Sequence, residues 1–143
     1  MGIIYKIKCK ECQNEWRLFL GYGLKHTSLS DVSTYFSDKD NSEIVSLINE
    51  NEYKYCDFNY RCGLCRECNE FTSVPVITLV KKVNGSKEYK YIAHNICRNN
   101  HKILMSDIIF SDNLSEAFMS FKEISCPQCN QNSFDIVEEG FWD

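Results

Sequence analysis

Apolar and polar positions alternate in short runs along most of this chain. Between Glu15 and Leu20, Trp16, Leu18 and Leu20 are separated by Arg17 and Phe19, a period of two that predicts a strand. Ile3 to Lys8 and Ser133 to Glu138 are also read as strands, and the stretch from Tyr53 to Arg61 as a return segment. A longer pair stands at the centre. Val76 to Val83 and Ser86 to Ala93 flank Asn84-Gly85, the dipeptide that suits a two-residue type I′ turn. Counting outward from that turn sets Lys81 opposite Glu88, Val80 opposite Tyr89 and Ile77 opposite Ile92. An opposite-charge pair and aromatic-aliphatic pairs support this register.

The period changes to that of a helix twice. Ile44, Val45, Leu47 and Ile48 follow Ser42, a candidate N-cap. Leu114, Ala117, Phe118 and Phe121 follow Ser111 and Asn113, either of which suits a cap. Lys25 to Asn41 is polar and reads as an inserted loop, and Lys102 to Phe110 as a strand. The order strand, knuckle, strand, helix, knuckle, strand then occurs twice. This predicts a first unit over residues 1–83, with an inserted loop and helix, and a second over 84–143. A tight hairpin joins them, so they are expected to pack as one unit.

The knuckles carry the chemistry. Cys9-x-x-Cys12, Cys65-x-x-Cys68, His94-x-x-Cys97 and Cys126-x-x-Cys129 provide eight ligands, enough for two tetrahedral zinc ions. The x-x spacing lets two donors of one tight turn face one ion. The residue after the second donor often needs positive φ, a place taken here by Asn69 and Asn130, with Gln13 and Arg98 at the other two. Chain order pairs Cys9 and Cys12 with Cys65 and Cys68, and His94 and Cys97 with Cys126 and Cys129.

Two positions carry competing readings. Cys62 and Cys65 are also a C-x-x-C pair, although Arg-Glu-Cys-Asn-Glu-Phe after Cys65 echoes Lys-Glu-Cys-Gln-Asn-Glu-Trp after Cys9 and favours 65/68. His101 competes with His94, because Cys97-x-x-x-His101 is also a ligand spacing. Cys56 has no spaced partner and reads as a small buried hydrophobe.

The knuckles CKEC at 9, CREC at 65 and CPQC at 126 resemble those of the zinc-ribbon group, which are rubredoxin-like. The resemblance covers the knuckles and their flanking strands, about half of the chain, and not the 25–41 loop or the helices. His94 departs from it, standing where Cys is usual. The resemblance implies structural metal and carries no activity, since zinc ribbons serve many roles. The expected fold is a small zinc-stabilised α+β protein of two fused zinc ribbons, with β-hairpins and two short helices.

Composition narrows the function. Nine cysteines, an odd number and most of them in C-x-x-C pairs, with no secretory leader expected in the opening MGIIYKIKCKEC, fit metal in a reducing cytoplasm better than disulfides. No apolar run approaches membrane-spanning length. The formal charge is −4. Seven thiolates subtract seven and two Zn²⁺ ions restore four, so the loaded chain stands at −7. Lys and Arg are scattered, so attraction to nucleic-acid phosphate is not expected. His26 has no nucleophile near it in sequence, and Gly21-Tyr22-Gly23 lacks the pattern of a phosphate loop. With both sites closed by four protein donors, no enzyme is expected. The leading expectation is a non-catalytic adaptor or small subunit that binds another protein. A nucleic-acid-binding ribbon and a rubredoxin-like iron electron carrier are the alternatives. Phe141-Trp142 after Gly140 is the candidate anchor for a partner, against the reading that it folds back on the ribbon.

Overall fold

A computed structural model describes residues 2–22, 28–111, 113–120 and 124–142. His26, Gly23 and Phe121 lie outside the described residues. The described residues form seven strands: β1 (Gly2–Cys9), β2 (Glu15–Gly21), β3 (Lys54–Cys65), β4 (Glu70–Val83), β5 (Ser86–Ala93), β6 (Ile108–Ile109) and β7 (Phe134–Trp142). Three helices accompany them: α1 (Leu29–Val32), α2 (Asp38–Glu50) and α3 (Leu114–Ser120). This is a small α+β protein, mostly antiparallel sheet. No described helix is long and apolar enough to cross a membrane.

The strands form one sheet in the order β5-β4-β3-β2-β1-β7, with β6 pairing β3 off that path. The boundary expected at 83/84 falls inside the β4–β5 hairpin of this sheet. That hairpin has the register read from its turn, with Lys81 opposite Glu88, Val80 opposite Tyr89 and Ile77 opposite Ile92. Asn84 (φ 51°) and Gly85 (φ 80°) both take the left-handed conformation that a type I′ turn needs.

Among the described residues β2 meets β3 at one register pair, Gly21 with Tyr60, and the packing of β1 and β2 side chains on those of β3 and β4 requires the sheet to bend there. β1, β2 and β7 thereby turn back over β3 and β4. Tyr5, Ile7, Leu18 and Leu20 close on Cys62, Phe71, Leu114 and Phe118 in one apolar cluster. Trp142 closes the bend. Its Nε1 donates to the Leu20 carbonyl at 3.0 Å and its ring meets Tyr60 at 5.5 Å. The indole takes the space that a Cβ on residue 2 would need, which is why Gly2 stands there.

A second cluster lies beneath α1 and α2, where Val32, Phe36, Ile44 and Leu47 pack on Tyr53, Phe58, Ile77, Leu79 and Ile92. The opposite face of β4 offers Val74 and Val76 to Ala93, Ile103 and Ile108, with Cys65 and Cys97 among them. Cys65, Cys68 and Cys97 are thus seated against a core.

Three local expectations change. α2 starts four residues before Ser42. Ser37 caps it, accepting from the Asp40 N–H at 3.1 Å, and the Asp40 carboxylate answers the Ser37 N–H in a capping box. Part of the expected 25–41 loop is helical, as α1 and a short 3₁₀ turn over Ser33–Tyr35. Residues 102–110 are not a continuous strand. They hold one isolated bridge from Lys102 to Ile96, a 3₁₀ turn over Met105–Asp107, and then β6. Their apolar positions serve a packed irregular segment in which Ile103 and Ile108 point into the core.

Candidate metal centre

Each group of donors is built where strands end. β1 stops at Cys9, and the turn to β2 carries Cys12. Across from Cys9, β7 begins at Phe134, and the Lys10 N–H donates to the Ser133 carbonyl at 2.8 Å. The turn that precedes β7 holds Cys126 and Cys129. Antiparallel pairing of β1 with β7 therefore brings two knuckles from distant parts of the chain face to face. Cys9, Cys12, Cys126 and Cys129 form one group whose donor atoms all lie within 4.8 Å of one another.

The second group forms at the tip of the β3–β4 hairpin. Cys65 ends β3, and Cys68 lies in the turn before Glu70 opens β4. β5 runs beside β4 and returns the chain to this tip, where Cys97 and His101 complete the group.

The pairing is thus nested, the outer pairs together and the inner pairs together, and it replaces the chain-order pairing. The reason is topological. β7 adds to the edge of β1, at the opposite end of the strand order from β5. His94 is likewise corrected by placement. Its Nδ1 stands 3.3 Å from the Asp40 carboxylate and its ring packs near Phe36, away from both groups. His101 takes the place instead, with Nδ1 3.1 Å from the Cys68 Sγ. Backbone phase explains the choice. The His94 N–H bonds the Pro75 carbonyl and so continues the sheet, whereas Cys97 opens a turn that His101 closes by accepting from the Cys97 N–H at 2.9 Å.

Cys62 is buried in the apolar cluster under β1 and β2, where burial pushes its thiol pKa up. Cys56 is exposed rather than buried, at an irregularity in the β3–β4 register.

The geometry suits metal. Cys9 and Cys129 sulfurs are 3.5 Å apart, Cys12 and Cys126 3.6 Å, and Cys68 and Cys97 3.7 Å. A disulfide would need about 2.05 Å. A tetrahedron with Zn–S bonds of about 2.3 Å has S···S edges of about 3.8 Å, close to these values.

The knuckle backbones match. Gln13 (φ 66°), Asn69 (φ 54°) and Asn130 (φ 64°) each follow the second cysteine of a pair in the left-handed region. In the Cys97–His101 turn that conformation falls to Asn100 (φ 62°). N–H groups turn toward the sulfurs, as Gln128 does toward Cys126 at 3.4 Å and Asn99 toward Cys97 at 3.3 Å. Such donors favour thiolate.

The surroundings of the thiols pull them apart. Hydrogen bonding from Asn14 lowers Cys12 to about 7, while burial pushes Cys126 up to about 12. Burial also opposes ionisation of Cys97, but donors from His101 and Asn99 bring it down to about 7. A divalent cation removes the conflict, because a coordinating thiol is deprotonated outright.

Sequence reading missed the surroundings of the second group. His101 Nε2 lies 3.3 Å from the Glu67 carboxylate, the arrangement that orients a metal-binding imidazole. The Asn99 side chain donates to the Cys68 sulfur at 3.2 Å. Arg66 holds Asp107 through two bonds of 2.8 and 2.9 Å, which ties the hairpin tip to the 105–107 turn. The legible signal was the Cys-x-x-x-His spacing with Asn before the His. Two cysteine-rich groups able to hold metal are therefore present, each compatible with a zinc-ribbon-like site. Comparison with protein-family models, with curated proteins and with solved structures finds no match for this chain.

Proposed function

We propose that this chain is a non-catalytic interaction module stabilised by two structural zinc ions. Cys9, Cys12, Cys126 and Cys129 hold one ion. Cys65, Cys68, Cys97 and His101 hold the other. Two zinc-ribbon-like sites are thus fused through one sheet. The observation that carries this reading is that each group offers four converging protein donors, at separations close to tetrahedral edges. Four protein donors leave no coordination position for water or substrate, the arrangement of structural zinc. The imidazole in the second group favours zinc over rubredoxin-type iron.

The partner in this reading is another protein, met in the cytoplasm. Phe141 supports it, at 65 % exposure one residue from Trp142, which folds back onto the bend. Aromatic side chains on a rigid sheet make good anchors, because little side-chain entropy is lost on binding. Nucleic acid fits less well, given the net formal charge of −4 before any thiolate is counted.

The test combines metal analysis with capture. Protein purified without chelator should carry two zinc ions per chain and no red-brown colour. Capture from the native host should retain a protein partner that Phe141→Ala weakens without changing the zinc content. Less than one zinc per chain, iron in its place, or submicromolar binding to random RNA or DNA at physiological salt would overturn the reading.

A further inference from the structure

β5 and β7 are the two edges of the sheet, and they differ in what they offer a newcomer. β7 shifts register against β1 between Ile4 and Tyr5, an irregularity that bends an edge away from pairing. It also bears Asp135, Glu138 and Glu139, so pairing with itself would crowd like charges. β5 pairs with β4 without a register shift over its whole length and contains no proline. Residues 86–91 are all exposed, and among the described residues no strand pairs with its outer edge.

The hairpin determines which amides face that edge. In a two-residue hairpin the pair flanking the turn, here Val83 and Ser86, exchanges hydrogen bonds, and every second pair after it does the same. The His94 N–H, bonded to Pro75 at 3.0 Å, lies in this phase. Ser86, Glu88, Lys90 and Ile92 therefore bond inward to β4. The N–H and C=O groups of Lys87, Tyr89 and Tyr91 point outward.

We propose that β5 is a self-association edge: two copies of this chain pair β5 with β5, antiparallel and centred on Tyr89, in a symmetric dimer with one continuous sheet. Charge selects the register. Centring on Tyr89 sets Glu88 opposite Lys90 of the second copy, and Lys90 opposite its Glu88. Lys87 then faces Tyr91 on both sides, and Tyr89 faces Tyr89. Centring on Lys87, Glu88 or Lys90 instead places each of those charges against its own copy, which is unfavourable across strands. The segment Lys87-Glu88-Tyr89-Lys90-Tyr91 is thus complementary to its own reverse. The outward amides of Lys87, Tyr89 and Tyr91 meet their counterparts as hydrogen-bonded pairs in the same register. The contact is isologous, so it closes at two copies. It involves neither metal group and stands whether or not the partner reading holds.

Sedimentation across a concentration series, with amide exchange by NMR, tests this on the zinc-loaded chain. A monomer–dimer equilibrium is expected, with the amides of Lys87, Tyr89 and Tyr91 gaining protection as concentration rises. Tyr89→Pro should abolish the dimer while leaving the β4–β5 ladder intact, because that N–H points outward and proline is tolerated at such edge positions. Lys90→Glu sets like charges opposite one another twice and should weaken the dimer about tenfold, near 1.4 kcal/mol. A chain still monomeric at about 1 mM, the weakest association that counts here, overturns the proposal. So does a dimer unchanged by both substitutions. Protection of the three amides only by an added foreign strand would assign the edge to another occupant and overturn self-pairing.

Discussion

The two cysteine groups solve one problem over different spans of chain. The all-cysteine group joins residues 114 and 120 positions apart, Cys12 to Cys126 and Cys9 to Cys129. The group with His101 joins residues 29 and 33 positions apart, Cys68 to Cys97 and to His101. A cross-link lowers the entropy of the unfolded chain more when the loop it closes is longer. On the (3/2)RT ln n scaling the wider group gains about 1 kcal/mol over the narrower one. The wider group also holds an edge strand, β7, in place against β1. The narrower one braces the tip of a long hairpin already secured by the β3–β4 pairing and by the cluster around Val74, Val76 and Ile103. With the proposed ions bound, one group would seal the fold and the other stiffen part of it. The Gln128 side-chain amide links them, donating to the Asn69 carbonyl at 2.7 Å.

Breaking the wider group should cost most. Cys129→Ser is expected to release one zinc and to expose the β7 amides to exchange. The expected loss is about 3–5 kcal/mol, as when a native long-range cross-link is removed, which is roughly 10 °C in midpoint temperature for a chain of this size. Cys68→Ser should also release one zinc but cost about 1 kcal/mol less, with exchange confined to residues 65–70 and 94–110. Equal losses, or a larger loss from Cys68→Ser, would remove span as the distinction between the groups.

The ligand set is sharpened by two histidines. His101→Ala should reduce the zinc content to one per chain. His94→Ala should leave it at two and cost about 1 kcal/mol or less, as expected for loss of a part-buried contact to Asp40. The reverse outcome would return His94 to the site.

Cys62→Ser should leave both zincs in place while costing about 1–3 kcal/mol, because the added hydroxyl enters an apolar cluster. Cys56→Ser should change stability by no more than about 0.5 kcal/mol. Zinc lost from the Cys62 variant would show that the 62/65 pair is a ligand pair after all. The smallest structural effect belongs to Glu67→Gln. It should weaken metal binding at the His101 group by about tenfold and leave the other group untouched, as sequential chelator titration would reveal.

The β4–β5 hairpin was legible in the sequence to the single pair, because Asn84-Gly85 sets the phase and strand alternation carries it outward. The strands β1 and β2 and the knuckles at 9, 65 and 126 were legible for the same reason: each is a local pattern with a local physical cause. The start of α2 was missed where two serines competed, and Ser37 with Asp40 formed the better capping box. Residues 102–110 carried apolar positions that suited a strand, but only Ile108 and Ile109 pair as one, and Ile103 is buried in the cluster without belonging to a strand.

What no local pattern contained was which knuckle meets which. That depends on β7 choosing β1 as its neighbour, a contact between the two ends of the described chain. It depends also on the bend at Gly21 and Tyr60, which folds one half of the sheet onto the other. The choice of His101 over His94 follows from the same cause, since His94 lies in phase with the sheet and His101 in the turn beyond it. Residue types and spacings along this sequence therefore determined that metal-ligand pairs exist and how each one turns. The grouping of the pairs was decided only by tertiary structure, because it rests on strand pairings and burial summed over the whole sheet.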